Sequence, residues 1–239
     1  MSLPEQIAER IFAAIANGEY APGDRIREEM LAEQFEVSRG PVREALRILE
    51  KDSVVRILPN RGAHVTQLSV KEVADIFEIR SKLVGAMVRS LGRPDDKLIA
   101  HIEGRVSELE ALARDPGAGD DYLAVTYQLA RVLAQSSGNE RLAEILGSLA
   151  RQTRRYSKLG LATAARRKES ARLWRAMVDA MKAGDLESAA AATEEMIDAS
   201  AREAARQLQP RKAAARRSNP EETPAAPAAG TQHPQDTLQ

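Results

Sequence analysis

The chain has no cysteine, three histidines, and aromatic residues at only 3% of its 239 positions. Without thiols there is no disulfide framework, no thiolate metal centre and no cysteine nucleophile. His64, His101 and His233 fall in a hairpin, a helix and a tail, so a multi-histidine metal cluster cannot be assembled from them. Basic and acidic residues balance at 35 each, which excludes a chain-wide field for drawing in a polyanion. No apolar run approaches the ~18 residues of a membrane span, and no secretory leader pattern opens the chain. A cytoplasmic location, with no membrane partner, is the expectation. No phosphate-binding glycine loop, clustered catalytic carboxylates or Ser/His constellation is present, so an enzyme is not expected. The length allows two domains with separate cores.

What the chain does have is concentrated in residues 31–47, LAEQFEVSRGPVREALR. Leu31, Ala32 and Phe35 form an apolar stripe, Val37 follows in a turn, and Ser38 stands where an N-cap belongs. Val42, Ala45, Leu46 and Leu49 then repeat at helical spacing. Pro41 falls in the first turn, where its missing N–H is not needed. On the opposite face Arg39, Arg43 and Arg47 recur every fourth residue. A short cationic helix braced by another suits a DNA major groove, where arginine pairs with guanine or neutralises phosphate. Such a row also suits a solvated face, with Glu44 and Glu50 as partners.

The flanks bear on that choice. Upstream, Leu3, Ile7, Ile11, Ala14 and Ile15 predict a helix that stops at Asn17 and Gly18. Pro22, Gly23 and Asp24 predict a turn. Downstream, β-branched runs at 54–58 and 63–66 flank Pro59, Asn60, Arg61 and Gly62, which predicts a hairpin with a basic tip. Residues 1–68 hold nine Lys/Arg against eleven Asp/Glu, but 37–61 hold six against three. The positive field is therefore local to the second helix and the hairpin, and binding to DNA should be salt-dependent.

GEYAPGDRI, LAEQFEVSRGPVREALRILE and NRGAHV resemble, in order and nearly without gaps, the DNA-binding domain of the GntR family of bacterial transcription regulators. The resemblance implies a winged helix-turn-helix over 1–68, three helices plus a β-hairpin wing. It implies DNA contacts from Ser38, Arg39, Arg43 and Arg47 and, in the wing, from Arg61 and Gly62. Relatives usually carry glycine where this chain has Glu36, and again where it has Asp52 and Ser53. A left-handed Glu36 costs about 1 kcal/mol relative to glycine.

From Leu68 onward the strand signals disappear. A capping box at 69–72 (SVKE) opens a helix with the stripe Val70, Val73, Ile76, Phe77, Leu83, Val84, Met87 and Val88, ending at Arg93 and Pro94 or in an extension. Further helices are predicted near 95–114, 119–136, 140–158, 167–182 and 186–208, an antiparallel bundle of six to seven helices. The residues after 208 lack large apolar side chains until Leu238 and are expected to form a disordered tail over 209–239.

The bundle is similar to the FCD ligand-binding domain of the FadR branch of the GntR family, through DIFEIRSKL, LARVLAQSSGNERL and LWRAMVDAMKAGDLESAAAATEEMI. In that branch one Asp and three His hold a divalent metal that grips a small carboxylate. The corresponding positions fall near Thr126, Ala130, Trp174 and Met196, which cannot build such a site. No metal and no cofactor are expected. Trp174, the only tryptophan, either stacks on an effector or plugs the vacated space, with Tyr127 a second candidate for the wall.

Arg80 matches a position where the family often points arginine inward; it either holds an effector carboxylate or pairs with Glu78 or a neighbouring helix. Residues 151–172 hold eight Lys/Arg against Glu169 alone. They form a solvated face, a dimer-facing patch or part of an anion pocket, with Arg151 and Arg154 the candidates to point inward. The expected whole is a mainly α, dimeric regulator that binds double-stranded operator DNA under control of a small-molecule effector, an organic acid. The alternatives are a metal-dependent carboxylate sensor of the same family, and a helical scaffold without operator specificity.

Overall fold

The computed structural model describes residues 1–92 and 95–217. Among these the chain runs α1 (Leu3–Asn17), β1 (Arg25–Ile26), α2 (Glu28–Gln34), α3 (Arg39–Lys51), β2 (Val55–Leu58) and β3 (Gly62–Val65). The bundle follows: α4 (Val70–Ser90), α5 (Asp96–Leu112), α6 (Gly119–Ser136), α7 (Glu140–Gly160), α8 (Ala164–Ala183) and α9 (Leu186–Arg217).

The N-terminal domain is a winged helix-turn-helix. Helix α1 starts with a capping box, the Ser2 N–H donating to Glu5 Oε2 at 2.6 Å, and stops at Gly18 with φ 89°. Its buried Ile7, Ile11 and Ile15 pack with Leu31 of α2, with Val42, Leu46 and Leu49 of α3, and with Val55 and Val65 of the sheet. Each such side chain taken from water contributes about 1.5–3 kcal/mol, so one apolar stripe per helix suffices to build this core. Leu3, part of the expected α1 stripe, is instead exposed.

The wing has three strands in the order β1-β3-β2, all antiparallel, rather than the expected two. Two residues are too few for β1 to show an alternation in sequence. The predicted turn at 22–24 sews β1 to the hairpin, Gly23 N donating to Val65 O and Val65 N to Asp24 O, both at 2.9 Å. Glu36, Ser53 and Asn60 have φ of 54°, 56° and 59°. Glu36 thus takes the left-handed backbone that favours glycine, and Ser53 carries the second non-glycine departure.

In the bundle α9 packs against α4, α7 and α8, while α6 lies on α5 and α7. The main core gathers Val106, Leu109, Tyr122, Leu129, Leu133, Trp174 and Met177. The predicted capping box is present at α4, Ser69 N donating to Glu72 Oε2 at 2.7 Å and Glu72 N to Ser69 Oγ at 3.2 Å. Gly160 lets α7 cross α9 closely, since a Cβ there would lie 2.5 Å from Ser200 O. The last helix, expected to end near 208, continues to Arg217. Residues 218–239 of the expected tail, and the expected stop at Arg93 and Pro94, lie outside the described residues.

The two domains touch through α1 and α7. The Arg154 guanidinium lies 5.8 Å from the Phe12 ring, Arg151 Nε lies 2.7 Å from Asp52 Oδ2, and Leu68 N donates to Tyr156 Oη at 3.3 Å.

Candidate nucleic-acid interface and ligand cavity

Helix α3 turns Val42, Ala45, Leu46 and Leu49 inward and leaves the opposite face to solvent. That periodicity places Arg39, Arg43 and Arg47 in one exposed row, their side chains 55%, 57% and 68% accessible. Ser38 is the N-cap by position, with φ −69° and ψ 165°, but its hydroxyl makes no capping bond. The first amides of α3 and an unengaged hydroxyl therefore sit beside Arg39, an arrangement suited to phosphate oxygen.

Each arginine of the row already has an acidic partner. Arg39 pairs with Glu29 at 3.0 Å, Arg43 with Glu28 at 2.7 Å, and Arg47 with Glu44 at 2.7 Å. The Glu28 hydrogen bond raises the Arg43 pKa, and Glu29 is held below the ordinary carboxylate range by a backbone hydrogen bond and then by Arg39. Glu28 and Glu29 sit in the first turn of α2, where a helix favours acids. Exposed pairs of this kind are weak and exchange readily for phosphate. Glu50, expected to pair with the row, instead accepts Ile57 N at 2.8 Å and so ties α3 to the wing.

At the wing tip Asn60 is left-handed and Gly62 has φ 80°, so the chain reverses tightly and leaves Arg61 exposed. Among the described residues Arg61 forms no ion pair. Gly62 lies against Arg25 of β1, whose Nε would be 3.6 Å from a Cβ there. Arg25 was not singled out in the sequence, because the strand that carries it was not legible.

The bundle holds a partly open cavity of about 1320 Å³. Arg80, Tyr127, Arg151, Arg154 and Trp174 all line it, so the five candidates are brought together from α4, α6, α7 and α8. Tyr127 is the centre of the polar end: Arg80 lies 5.5 Å and Arg154 4.8 Å from its ring, and its hydroxyl donates to Ser157 Oγ at 3.0 Å. Arg80, 8% exposed, donates to Thr153 Oγ1 of the neighbouring α7 at 3.3 Å, so of the expected alternative the contact with a neighbouring helix forms; among the described residues it pairs with no carboxylate, Glu78 included. Arg151 reaches the cavity wall but its Nε is engaged by Asp52.

The other basic residues of 151–172 divide among different tasks. Lys158 pairs with Asp120 at 2.6 Å and Arg166 with Glu169. Arg167, 1% exposed, donates to the carbonyls of Asp115, Pro116, Leu161 and Ala162, which ties together the α5–α6 and α7–α8 connections. This cluster is neither one solvated face nor one pocket. Phe12, which no sequence pattern marked, supplies part of the cavity wall from the DNA-binding domain.

Thr126, Ala130, Trp174 and Met196 also line the cavity, so the positions deduced for a metal converge in space. Their chemistry does not fit a divalent ion. Thr126 Oγ1 donates to Tyr122 O at 2.9 Å, the indole offers an N–H rather than a lone pair, and alanine offers nothing. Among the described residues no three His, Cys, Asp or Glu side chains are grouped to hold a metal.

A winged helix-turn-helix joined to a helical bundle with a central cavity defines a class of DNA-binding regulatory proteins. The chain belongs to the gntR family of bacterial regulatory proteins: that family's model matches residues 3–65, and the FCD domain model matches residues 75–199, over half of the chain. It is similar to the HTH-type transcriptional regulator YdhC of Bacillus subtilis (strain 168), 32% identical over 133 residues, 55% of this chain and 59% of the relative. It is also similar to the gluconate operon transcriptional repressor of Bacillus licheniformis, 36% identical over 89 residues, 37% of this chain and 36% of the relative. These matches span less than two thirds of the relatives' length. In fold it is similar to Escherichia coli McbR/YncC, with a TM-score of 0.75 at 20% identity, covering 87% of this chain and 99% of that one. The family and these relatives are regulators, not enzymes. Among the described residues no helix is long and apolar enough to cross a membrane.

Proposed function

We propose that this chain is a cytoplasmic, dimeric transcriptional repressor that binds operator DNA and responds to a small organic acid in the bundle cavity. The observation that carries the reading is the row Arg39, Arg43 and Arg47 on the exposed face of α3, beside a wing tipped by Arg61. A two-fold dimer would set two such helices on half-sites of a pseudo-palindromic operator. Ser38 and the wing residues Arg61 and Gly62 position the domain on the backbone, while the arginine row reads base edges. The repressor assignment draws support from the gluconate operon repressor, which aligns with part of the chain.

Ligand control needs two arrangements of the winged domains with different affinities for the effector. The test begins with genomic fragments selected by the purified protein, titrated by fluorescence anisotropy. Arg43→Ala should lose at least about ten-fold in affinity for the selected sequence, the worth of a bidentate base contact, with an unchanged circular dichroism spectrum. Equal affinity of wild type and variant overturns the assignment of α3 as the reading helix.

A further inference from the structure

The FCD resemblance implies a metal ion at the centre of the bundle, and the side chains there do not fit one. We propose that two guanidiniums take its place: the cavity is a metal-free site for an anion with one carboxylate and an apolar body. The head group lies between Arg80 and Arg154, and the body extends toward Trp174. This inference rests on the effector-cavity reading of the bundle and names its ligand chemistry.

Three observations converge on it. The first is uncompensated positive charge. Arg80 is 8% exposed, donates one hydrogen bond to a neutral hydroxyl and, among the described residues, has no acid within ion-pair distance. Arg154 stands on the same Tyr127 ring, at 4.8 Å, and among the described residues it too has no acidic partner. A buried cation without a counter-charge is costly, and an aromatic face offsets only part of that cost. A carboxylate bridging the two guanidiniums supplies the missing charge and accepts paired N–H bonds. The acids that line the cavity, Glu9, Glu140 and Glu144, are exposed, and among the described residues none of them pairs with either arginine.

The second observation lies deeper in the wall. Trp174 is 2% exposed, and among the described residues its Nε1 has no hydrogen-bond partner. A buried donor left unpaired is rare, and this one lines the cavity. A second acceptor on the ligand, such as an ether, carbonyl or ring heteroatom, would satisfy the indole N–H.

The third is the lining between these ends, which includes Met87, Leu123, Leu133 and Met196. The hydroxyls interspersed there, Thr126, Thr193 and Ser200, already donate to carbonyls of their own helices, which leaves little to replace the hydration of a polyhydroxy acid or a tricarboxylate. An alkyl or aryl body fits, and methionine adapts to either.

Because the chain has one tryptophan, its emission reports this wall directly. Full-length protein, stripped with a chelator and dialysed, is titrated with octanoate and phenylacetate, then with octanamide and phenylacetamide, and with citrate. At least one of the two acids should shift Trp174 emission saturably with chelator present. Its amide should bind at least about ten-fold more weakly, as loss of a charge-assisted hydrogen bond requires, and citrate should bind more weakly than that acid. Arg154→Gln should weaken that acid by a similar factor, and Arg114→Gln, exposed and outside the cavity wall, should leave it unchanged. Should Arg80→Gln fail to fold, half-buried Arg154 carries the comparison. Equal binding of acid and amide, a requirement for added Zn or Mn, tighter binding of citrate, unaffected binding by Arg154→Gln, or no saturable shift with either acid overturns the proposal. Operator binding by the unliganded protein is measured separately, so loss of this inference leaves the DNA-binding reading standing.

Discussion

Arg151 of α7 donates from Nε to Asp52 Oδ2 at 2.7 Å, so a residue of the cavity wall is bonded to the C-cap of helix α3. The Asp52 carboxylate is largely covered, its side chain 13% accessible, which makes the bond stronger than a surface pair. Together with Arg154 against Phe12, it gives the bundle two grips on the DNA-binding domain. Asp52→Asn should cost about 1 kcal/mol, a fall in Tm of about 2–4 °C for a chain of this size. Hydrogen exchange should quicken in 52–56 and around 148–152. Unaltered exchange in both segments removes the bond from any role in docking the domains.

The acids facing the arginine row lead to a second expectation. On the proposed role of Arg43, it must leave Glu28 before it reaches DNA, so Glu28 would compete with the operator for the same guanidinium. Glu28→Gln should tighten operator binding a few-fold and steepen its salt dependence, because one more cation is free to displace counterions. Anisotropy titrations at several salt concentrations check both. A weaker complex would show that Glu28 orients Arg43 for its contact rather than restraining it.

Gly160 and Gly147 both lie in α7 and should respond in opposite ways to alanine. A Cβ on Gly160 meets the Ser200 backbone, O at 2.5 Å and C at 3.1 Å, whereas one on Gly147 meets nothing within 4 Å. Gly160→Ala should destabilise by about 1–3 kcal/mol because the helices must move apart. Gly147→Ala should be neutral or stabilise by up to about 1 kcal/mol, from helix propensity. Thermal melts of the two variants decide whether the α7–α9 crossing is as close as described.

Tyr122 gives an alkaline signature. Burial pushes its hydroxyl up to about 12, while an unfolded tyrosine ionises near 10. Between these values the unfolded chain sheds a proton that the folded chain keeps, so stability falls as pH rises from about 10 to about 12. The full effect is about 2–3 kcal/mol, and below about pH 10 it is absent. Tyr122→Phe should lose less stability than wild type over that interval in denaturant titrations. Parallel loss in the two proteins would place Tyr122 in contact with water.

A fifth expectation concerns the turn between α2 and α3. Glu36 holds φ 54° where glycine is free of steric cost, so Glu36→Gly should stabilise by up to about 1 kcal/mol, part of it offset by the freer unfolded chain. A lower Tm would mean that the Glu36 side chain contributes more than the backbone loses.

By itself the sequence determined the elements and the faces they bury. Spacing alone separated the inward side of α3, Val42, Ala45, Leu46 and Leu49, from its arginine row, because helical periodicity is a local property. The capping box at Ser69 and the turn at Asn60 were legible for the same reason: their signals sit within four residues. The mismatch of Thr126, Ala130, Trp174 and Met196 with a metal site was also legible, since ligand chemistry belongs to residue type. Tertiary structure alone decided the pairings across long separations. Strand β1 exists because β3 is beside it, and Glu28 faces Arg43 because two helices cross. Among the described residues Arg80 has no acidic partner, and Arg151 has Asp52, because of where α4, α7 and the C-terminus of α3 come to rest. Whether a buried charge is compensated depends on the neighbours that packing brings to it, and those neighbours lie up to a hundred residues away in the chain.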